Sequence, residues 1–520
     1  MLKSTLYLKS FPSVFSMFRI LLLFLFIAVR QNDLFAATLH VGTGQTYPNL
    51  SAAVAVVQPG DTVEIHAGTY AGGLYFGNLK GSASQWITIR AAAGETVVFE
   101  GGGNAIQLTD PAYLRLQGLI FQHQTGNGVN IDDGGSYKTP ALHIIFEACT
   151  FRDMSATGNN DLLKLSGLDS FEIRNCTFQN GAAGGSGIDM VGCHWGLIRG
   201  NNFENMGSNA IQCKGGTEHI RIEGNFFKNG GLRALNLGGS TGLAFFRPDT
   251  AHFEAANLQV YSNIFIGAQA AVAFVGAVNV EVSNNTIYFP ERWVLRILQE
   301  TVDPTRFLEC GDNIFRNNII VRNAGLSTET NIGPNTRPQT FTFSNNLWYY
   351  PGNNNWSGPS IPVPDVNGII NQNPLLADPG NADFHIPPGS PAAGKGFAIA
   401  EPVLDYYGLG FAQPRSIGAA EANPVSGTTT PVNGISLRVF PNPARDWFCL
   451  ELDLNAGATV QVELVEITGR WKRLLFNGFL PAGLSRLPVE AANDPAGAYW
   501  LTCQVGKRKA VARRVILGRQ

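Results

Sequence analysis

The sequence predicts an all-β chain: a right-handed parallel β-helix with a short N-terminal capping helix, followed by a small C-terminal β-sandwich. Three observations carry this expectation. In AIQCKGGTEHIRIEGNFFKNGGLRALNLGGS (210–240), two kinds of alternating run, IQCK and HIRIEGNFF, are separated by Gly-Gly, and the first kind then returns as RALNL. One polar column recurs at intervals suited to one coil per repeat. The 59 Gly and 28 Pro among 520 residues supply the many turns such a coil needs.

The column emerges when segments ending in a large apolar residue are aligned, from FEACTF (146–151) through IEGNFF (222–227) to FSNNLW (343–348). Two residues before each terminal apolar residue stand Cys149, Cys176, Asn201, Asn225, Asn263, Asn285, Asn318 and Asn346, at intervals of 27, 25, 24, 38, 22, 33 and 28. Asn suits such a place because it tolerates turn backbone and hydrogen-bonds neighbouring backbone. Stacked at the rung spacing of about 4.8 Å, identical Asn side chains can also bond to one another as a ladder. Cys149 and Cys176, which occupy the first two places, read as core fillers rather than a disulfide or a metal pair.

At the N-terminus, Lys3, Lys9 and Arg19 precede the apolar run ILLLFLFIAV (20–29), and small residues follow near Ala36 and Ala37. Residues 1–37 therefore read as a signal peptide, with Met17 as an alternative start, and the mature protein is expected outside the cytoplasm with no transmembrane segment. YPNLSAAVAVV (47–57) has helical apolar spacing and ends at Pro-Gly-Asp, which predicts a helix capping the first coil. The β-helix is expected over 38–420, with the Pro/Gly-rich stretch 373–420 closing it. Two stretches depart from the repeat: 238–259, which accounts for the long interval, and ERWVLRILQETVDPTRFLEC (291–310). A polar linker, 421–434, precedes the alternating strands of the sandwich at 435–520.

The other strand of each coil aligns as LLKLSG, GIDMVG, AIQCKG, ALNLGG, AVAFVG and VLRILQ. Alternation across a strand sends the residue between the apolar ones outward: Lys164, Asp189, Gln212, Asn236, Ala273 and Arg296, extended by Gln107 and Asn130. Such a row suits a polymer rich in hydroxyls or carboxylates, and is equally what a solvated sheet face would show. We take Lys164, Asp189, Gln212, Asn236 and Arg296 as candidate substrate-binding residues. Lys214 and Arg233, 19 residues apart on consecutive coils, are the candidate catalytic pair. A Lys can act as the base that removes a proton α to a uronate carboxylate, and an Arg can neutralise the charge that develops.

The totals exclude other classes. A formal net charge of −2 with 15% charged residues speaks against a nucleic-acid protein. The seven Cys match no metal-ligand spacing, and no dense acidic cluster suggests a cation cage. The glycines separate strands, so they form no nucleotide-binding turn.

PNLSAAVAVVQPGDTVEIHAGTY, together with the Asn column, resembles pectate-lyase-like and chondroitinase-B-like β-helix proteins over about residues 38–420. KGGTEHIRIEGNFFKNGGLRALNLGGSTG with RWVLRILQE is similar to a narrower group of secreted bacterial β-helix proteins. For chondroitinase-B-like and alginate-lyase relatives, the resemblance implies a Lys base and an Arg on adjacent coils, matched here by Lys214 and Arg233, and calcium held by Asn and Glu. The stretch before Lys214, GSNAIQC, has no Glu, so the cofactor stays open and no metal ligand is assigned. Two readings of the function follow: a uronic-acid polysaccharide lyase, or a non-catalytic glycan-binding or surface-structural protein. VFPNPARDWFCLEL, VELVEITGR and PAGAYWLTC in 435–520 resemble the sorting domain of the Bacteroidota type IX secretion system, which implies that machinery as a partner and an extracellular or outer-membrane-surface location. Cys449 and Cys503, on separate predicted strands, are a candidate disulfide.

Overall fold

A computed structural model of the chain describes residues 36–422 apart from 137, and most of 435–517. Nearly all of the expected signal peptide and linker lies outside the described residues. The described part of 36–422 is a solenoid of parallel strands with almost no helix. A long sheet has thirteen strands on its main path, from Thr38–Val41 to Asp365–Val366. A twelve-stranded sheet runs from Gly68–Ala71 to Ile369–Ile370, and a ten-stranded sheet from Leu74–Gly77 to Thr330–Ile332.

One coil shows how the sequence makes these faces. Asn209–Lys214 lies in the ten-stranded sheet, Thr217–Glu223 in the long sheet and Phe226–Lys228 in the twelve-stranded sheet, before Arg233–Gly238 begins the next coil. The corner between the first two requires glycine: Gly215 and Gly216 have φ of +67° and +86°, and a Cβ on Gly216 would stand 2.5 Å from the Arg247 carbonyl oxygen.

The Asn column is a buried ladder. The backbone N–H and side-chain Nδ2 of Asn225 both donate to Asn263 Oδ1 at 2.9 and 3.0 Å, and Asn263 repeats this on Asn285, Asn285 on Asn318, and Asn318 on Asn346. Asn346 ends the series on Asp365 Oδ2 at 2.9 Å. At the other end, the Cys176 N–H donates to Asn201 Oδ1, and both buried thiols, Cys149 and Cys176, are free. The two roles of Asn anticipated for one position fall on two. The left-handed residue is the one before the ladder, such as Asn175, Ser262, Asn284 or Asn317 at φ 52–54°, while the ladder Asn itself serves for its hydrogen bonds.

Two residues further on, Phe121, Phe151, Phe178, Phe203, Phe227 and Phe265 stack inside the coil with centroids 4.7–5.1 Å apart. Each buried ring contributes about 1.5–3 kcal/mol through burial, and each stacked pair about 0.5–1.5 kcal/mol more.

The capping helix is Leu50–Val54, shorter than its apolar pattern. Asn49 caps it by accepting from the Ala52 N–H at 3.0 Å, and Leu50 and Ala53 face the core. Residues 373–422 do more than follow the last coil; they return along its side. The Phe397 N–H donates to Asn317 Oδ1, the Ala419 N–H to Thr286 Oγ1, and Asn284 Nδ2 to the Ser416 carbonyl. Phe384 and Ala419 there cover Ile264, an apolar residue on the outside of the twelve-stranded sheet.

The C-terminal region has a three-stranded and a four-stranded antiparallel sheet sharing one core. Cys449 and Cys503 are both free, which corrects the expected disulfide. Phe448, Leu450 and Leu452 point into that core, so alternation turns Cys449 to the outer face of its sheet, while Cys503 belongs to the core.

Replacing Asn285 by Ala removes the acceptor of both Asn263 donors and the partner of the Val260 carbonyl. With buried polar groups costing about 1–3 kcal/mol each when unpaired, Asn285→Ala is expected to lower unfolding stability by at least about 2 kcal/mol in urea titration, with far-UV circular dichroism of the native state unchanged.

Candidate functional site

The outward row exists in the expected register. Tyr75, Gln107, Asn130, Lys164, Asp189, Gln212, Asn236, Ala273, Arg296 and Asn331 are successive partners across the ten-stranded sheet. It is not solvated throughout. Asp189 and Ala273 are 0% exposed and Asn236 2%. Gly239, where the chain leaves the sheet, passes so close that a Cβ there would stand 2.7 Å from Gln212 Nε2 and 3.3 Å from the Lys214 Cβ.

Lys214 and Arg233 occupy consecutive coils, but opposite ends of the strands. Arg233 is the register partner of Asn209, five residues before Lys214, or roughly 16 Å along the strand at about 3.3 Å per residue. The expected pairing of the two is therefore corrected by the register, and each has other partners.

In the middle of the row Asp189 accepts from Lys164, and Lys214 Nζ, two residues beyond the row, lies 3.3 Å from the same carboxylate oxygen. Asp161, three residues before Lys164, places its carboxylate 3.8 Å from that ammonium and accepts from the Ser186 N–H at 2.8 Å. Burial, with the Asp189 carboxylate beside it, pushes the Asp161 carboxyl up to about 7. Burial works against the Lys164 ammonium, but Asp189 and Asp161 outweigh it and its pKa is raised. Asp189 Oδ1 has no hydrogen-bond partner.

Toward the later coils, Arg233 donates to Asn236 Oδ1 at 3.0 Å and to Glu300 Oε1 at 2.7 Å. Arg296 donates to Asn331 Oδ1 at 3.0 Å. The guanidiniums of Arg292 and Arg296 lie 4.2 and 4.7 Å from the centre of the Trp293 ring. Burial and then repulsion from Arg233, with a smaller part from Arg292, lower the Arg296 pKa, against which Glu300 is the opposing charge.

The two departures from the repeat interlock beside this face. Buried Glu254 accepts from the Gly215 N–H, the Thr241 N–H and hydroxyl, and the Thr301 hydroxyl, so one carboxylate joins both insertions to the coil of Lys214. Phe246 and Phe307 pack at 4.9 Å under the Arg306 guanidinium. Arg247 clamps the first insertion to earlier coils through Asp169, at 2.6 and 2.8 Å, and the Gly192 carbonyl; burial opposes the Asp169 charge, but Arg247 and His194 hold its carboxyl down at about 2.

Sequence reasoning missed Asp161, Glu254 and Arg247. Asp161 carries a local signal, its place three residues before Lys164, but sits on the turn and outside the aligned row. Glu254 and Arg247 lie in an insertion without periodicity. The donor set does not fit calcium, since two ammonium groups already occupy the Asp189 carboxylate where six to eight oxygens would have to converge. A cleft of about 400 Å³ at the neighbouring corner, lined by Asn205, Asn229, Leu232 and Glu291 among others, includes none of these charged groups. The site is a stripe along the surface.

Residues 104–287 match the family described as right handed beta helix region. No curated protein matches the sequence. Among solved structures, the chain is similar to pectate lyase Pel9A, with 14% identity over 75% of this chain and 98% of that one at a TM-score of 0.50. It is also similar to an alginate lyase from Paenibacillus sp. str. FPU-7, with 18% identity over 61% and 98% at 0.39. A PL6 family polysaccharide lyase from Pseudopedobacter saltans shows 14% identity over 70% and 100% at 0.42. At these identities the likeness is one of fold.

Asp161 gives the site a pH signature. Its unfolded carboxyl ionises near pH 4, whereas the folded one keeps its proton until about 7. Folding then takes up a proton in between, and stability falls as pH rises through that window. Asp161→Asn keeps the acceptor for Ser186 and removes this titration. The stability of the native chain relative to Asp161→Asn, measured by urea unfolding at pH 4.5 to 8, is expected to decline up to about pH 7 and then level off.

Proposed function

We propose that the ten-stranded face recognises an acidic extracellular polysaccharide running along the solenoid axis. The observation that carries this reading is the cluster of Arg233, Arg292 and Arg296. The Arg233 and Arg292 guanidiniums both bear on Arg296 there, with Glu300 as the carboxylate bound to Arg233. A carboxylate or sulfate on a glycan relieves that repulsion, and planar guanidinium forks match such groups. The open flanks of the row, Gln107, Asn130, Lys164 and Asn331, would meet hydroxyls on neighbouring sugars, and exposed Tyr75 would offer a ring face. Asp189 and Asn236 then act beneath the surface, holding Lys164, Lys214 and Arg233 in place, while Gln212 accepts from Asn209.

Lyase chemistry is the second reading, favoured by one observation: Lys164 and Lys214 flank the single carboxylate of Asp189, while Asp161 keeps its proton to about 7. Two amines thus share one carboxylate, so Lys214 can lose its proton while Asp189 still balances the Lys164 ammonium. In this reading Lys214, having given its proton to solvent, takes the proton α to the uronate carboxylate; the electron pair forms a C=C double bond as the glycosidic C–O bond breaks, water protonates the leaving oxygen, and the Lys164 ammonium stabilises the intermediate. Arg233 is too distant along the strand to share that step and binds polymer instead.

We further infer that residues 1–37 direct export and that 435–520 engage the type IX secretion machinery, giving release or display at the outer-membrane surface. The two antiparallel sheets, with a core of their own, support this as a separable module.

Binding to polyuronate and to neutral glucan, compared by affinity electrophoresis, tests the first reading. Polyuronate is expected to bind preferentially, and Arg292→Ala with Arg296→Ala to weaken it at least about tenfold, or 1.4 kcal/mol. Equal binding of neutral glucan, or an unaffected double variant, would refute the reading. Release of unsaturated uronides, followed by ultraviolet absorbance, tests the second: Lys214→Ala is expected to abolish it, and full activity in that variant would eliminate Lys214 as the base.

A further inference from the structure

The first coil carries a second constellation, far along the solenoid from the charged stripe. His40 and Glu64 are register partners on the outward side of the first two strands of the long sheet, and His66 follows the second of these strands. His40 Nδ1 lies 3.1 Å from His66 Nε2 and 3.5 Å from Glu64 Oε1, and the three potential ligand atoms lie within 4.8 Å of one another. Ligands of a tetrahedral zinc ion, at about 2.0–2.2 Å from the metal, stand roughly 3.4 Å apart. These two separations bracket that edge.

The groups behind these atoms are already in place. Glu64 Oε2 is held by Arg90 Nη2 and Nε at 2.9 and 3.1 Å, which leaves Oε1 on the side of His40. His66 turns Nδ1 to Glu95 Oε1 at 3.1 Å, and Glu95 Oε2 accepts from the Ala67 N–H at 2.5 Å. A carboxylate on the far nitrogen of a histidine fixes its tautomer and raises its basicity as a ligand. Without a cation, the facing imidazole nitrogens need one shared proton. With one, the metal replaces it and the proton leaves to solvent.

We propose that His40, Glu64 and His66 bind a zinc-class divalent cation that clamps the first strand of the solenoid to the second. Two imidazoles and one carboxylate suit zinc, nickel or copper better than calcium or magnesium. The His40 side chain is 42% exposed, which gives the ion an entry path and a solvent-facing fourth position for water. The role is structural. Among the described residues Thr38–Val41 is the terminal strand of its sheet, with only a bridge from Tyr47 to Val41 beside its partner strand, so a cross-link there holds the open end of the coil. Glu95 is a positioning residue.

The test uses the purified full chain, stripped with chelator and titrated with Co²⁺ and then Zn²⁺. The expected result is one equivalent of Co²⁺ with the intense visible absorption of tetrahedral coordination, displaced by Zn²⁺, and a melting temperature that rises with Zn²⁺. His40→Ala and His66→Ala are expected to weaken binding at least a hundredfold, and Glu95→Gln tenfold to a hundredfold. His40→Gln, which retains a hydrogen-bonding side chain, guards against loss of fold; it should show the native metal-free circular dichroism and still fail to bind. Absence of the Co²⁺ absorption, or binding undiminished in the His40→Gln chain, would overturn the proposal.

Discussion

Hydrogen bonding from each coil to the next, in one unbroken register, is the constraint on which the rest of the solenoid depends. The strands inside each of the three sheets take their partners from the coils before and after, so side chains at one position of the repeat form columns along the axis. The buried Asn ladder secures this at the corner between the long and the twelve-stranded sheets. From Asn225 onward each Asn satisfies both a backbone and a side-chain donor of the coil before it, and a shift of one residue would leave both unpaired in the core. The Phe stack depends on the same register, and so does the polar stripe.

The charged stripe combines that regular scaffold with two irregular insertions. The scaffold supplies spacing, one side chain per coil. The insertions supply burial, because Gly239 and the segments joined through Glu254 close over the middle of the row. Enclosure changes the chemistry of the groups beneath. Burial raises the Asp161 pKa, and the register sets Asp189 between two ammonium groups. An open sheet face would leave the same residues hydrated and nearly independent.

Periodicity made much of this legible from sequence alone. The Asn column, the coil unit and the outward row all depend on recurrence, and the structure places Lys164, Asp189, Gln212, Asn236 and Arg296 in one file. Tertiary features without recurrence escaped. The Lys214–Arg233 pairing failed because closeness in coil number says nothing about position along a strand: both lie beside the row, at its two edges. Glu254 lacks any periodic position, and its importance comes from four donors brought together by two loops. The Cys449–Cys503 pairing failed for the opposite reason, since alternation was available and turns one thiol out and the other in. His40, Glu64 and His66 belong to the opening coils, where attention to the Asn column offered no signal.

The central claim is that the stripe on the ten-stranded sheet is the glycan-contact surface. Its most direct test is a crystal structure of the protein with an acidic oligosaccharide. The account predicts a chain lying along the solenoid axis over Lys164 to Arg296, with a sugar carboxylate or sulfate among Arg233, Arg292 and Arg296. An oligosaccharide seated instead on the long sheet, for example against the exposed Trp195 ring stacked on His219, with the arginine cluster empty, would contradict it.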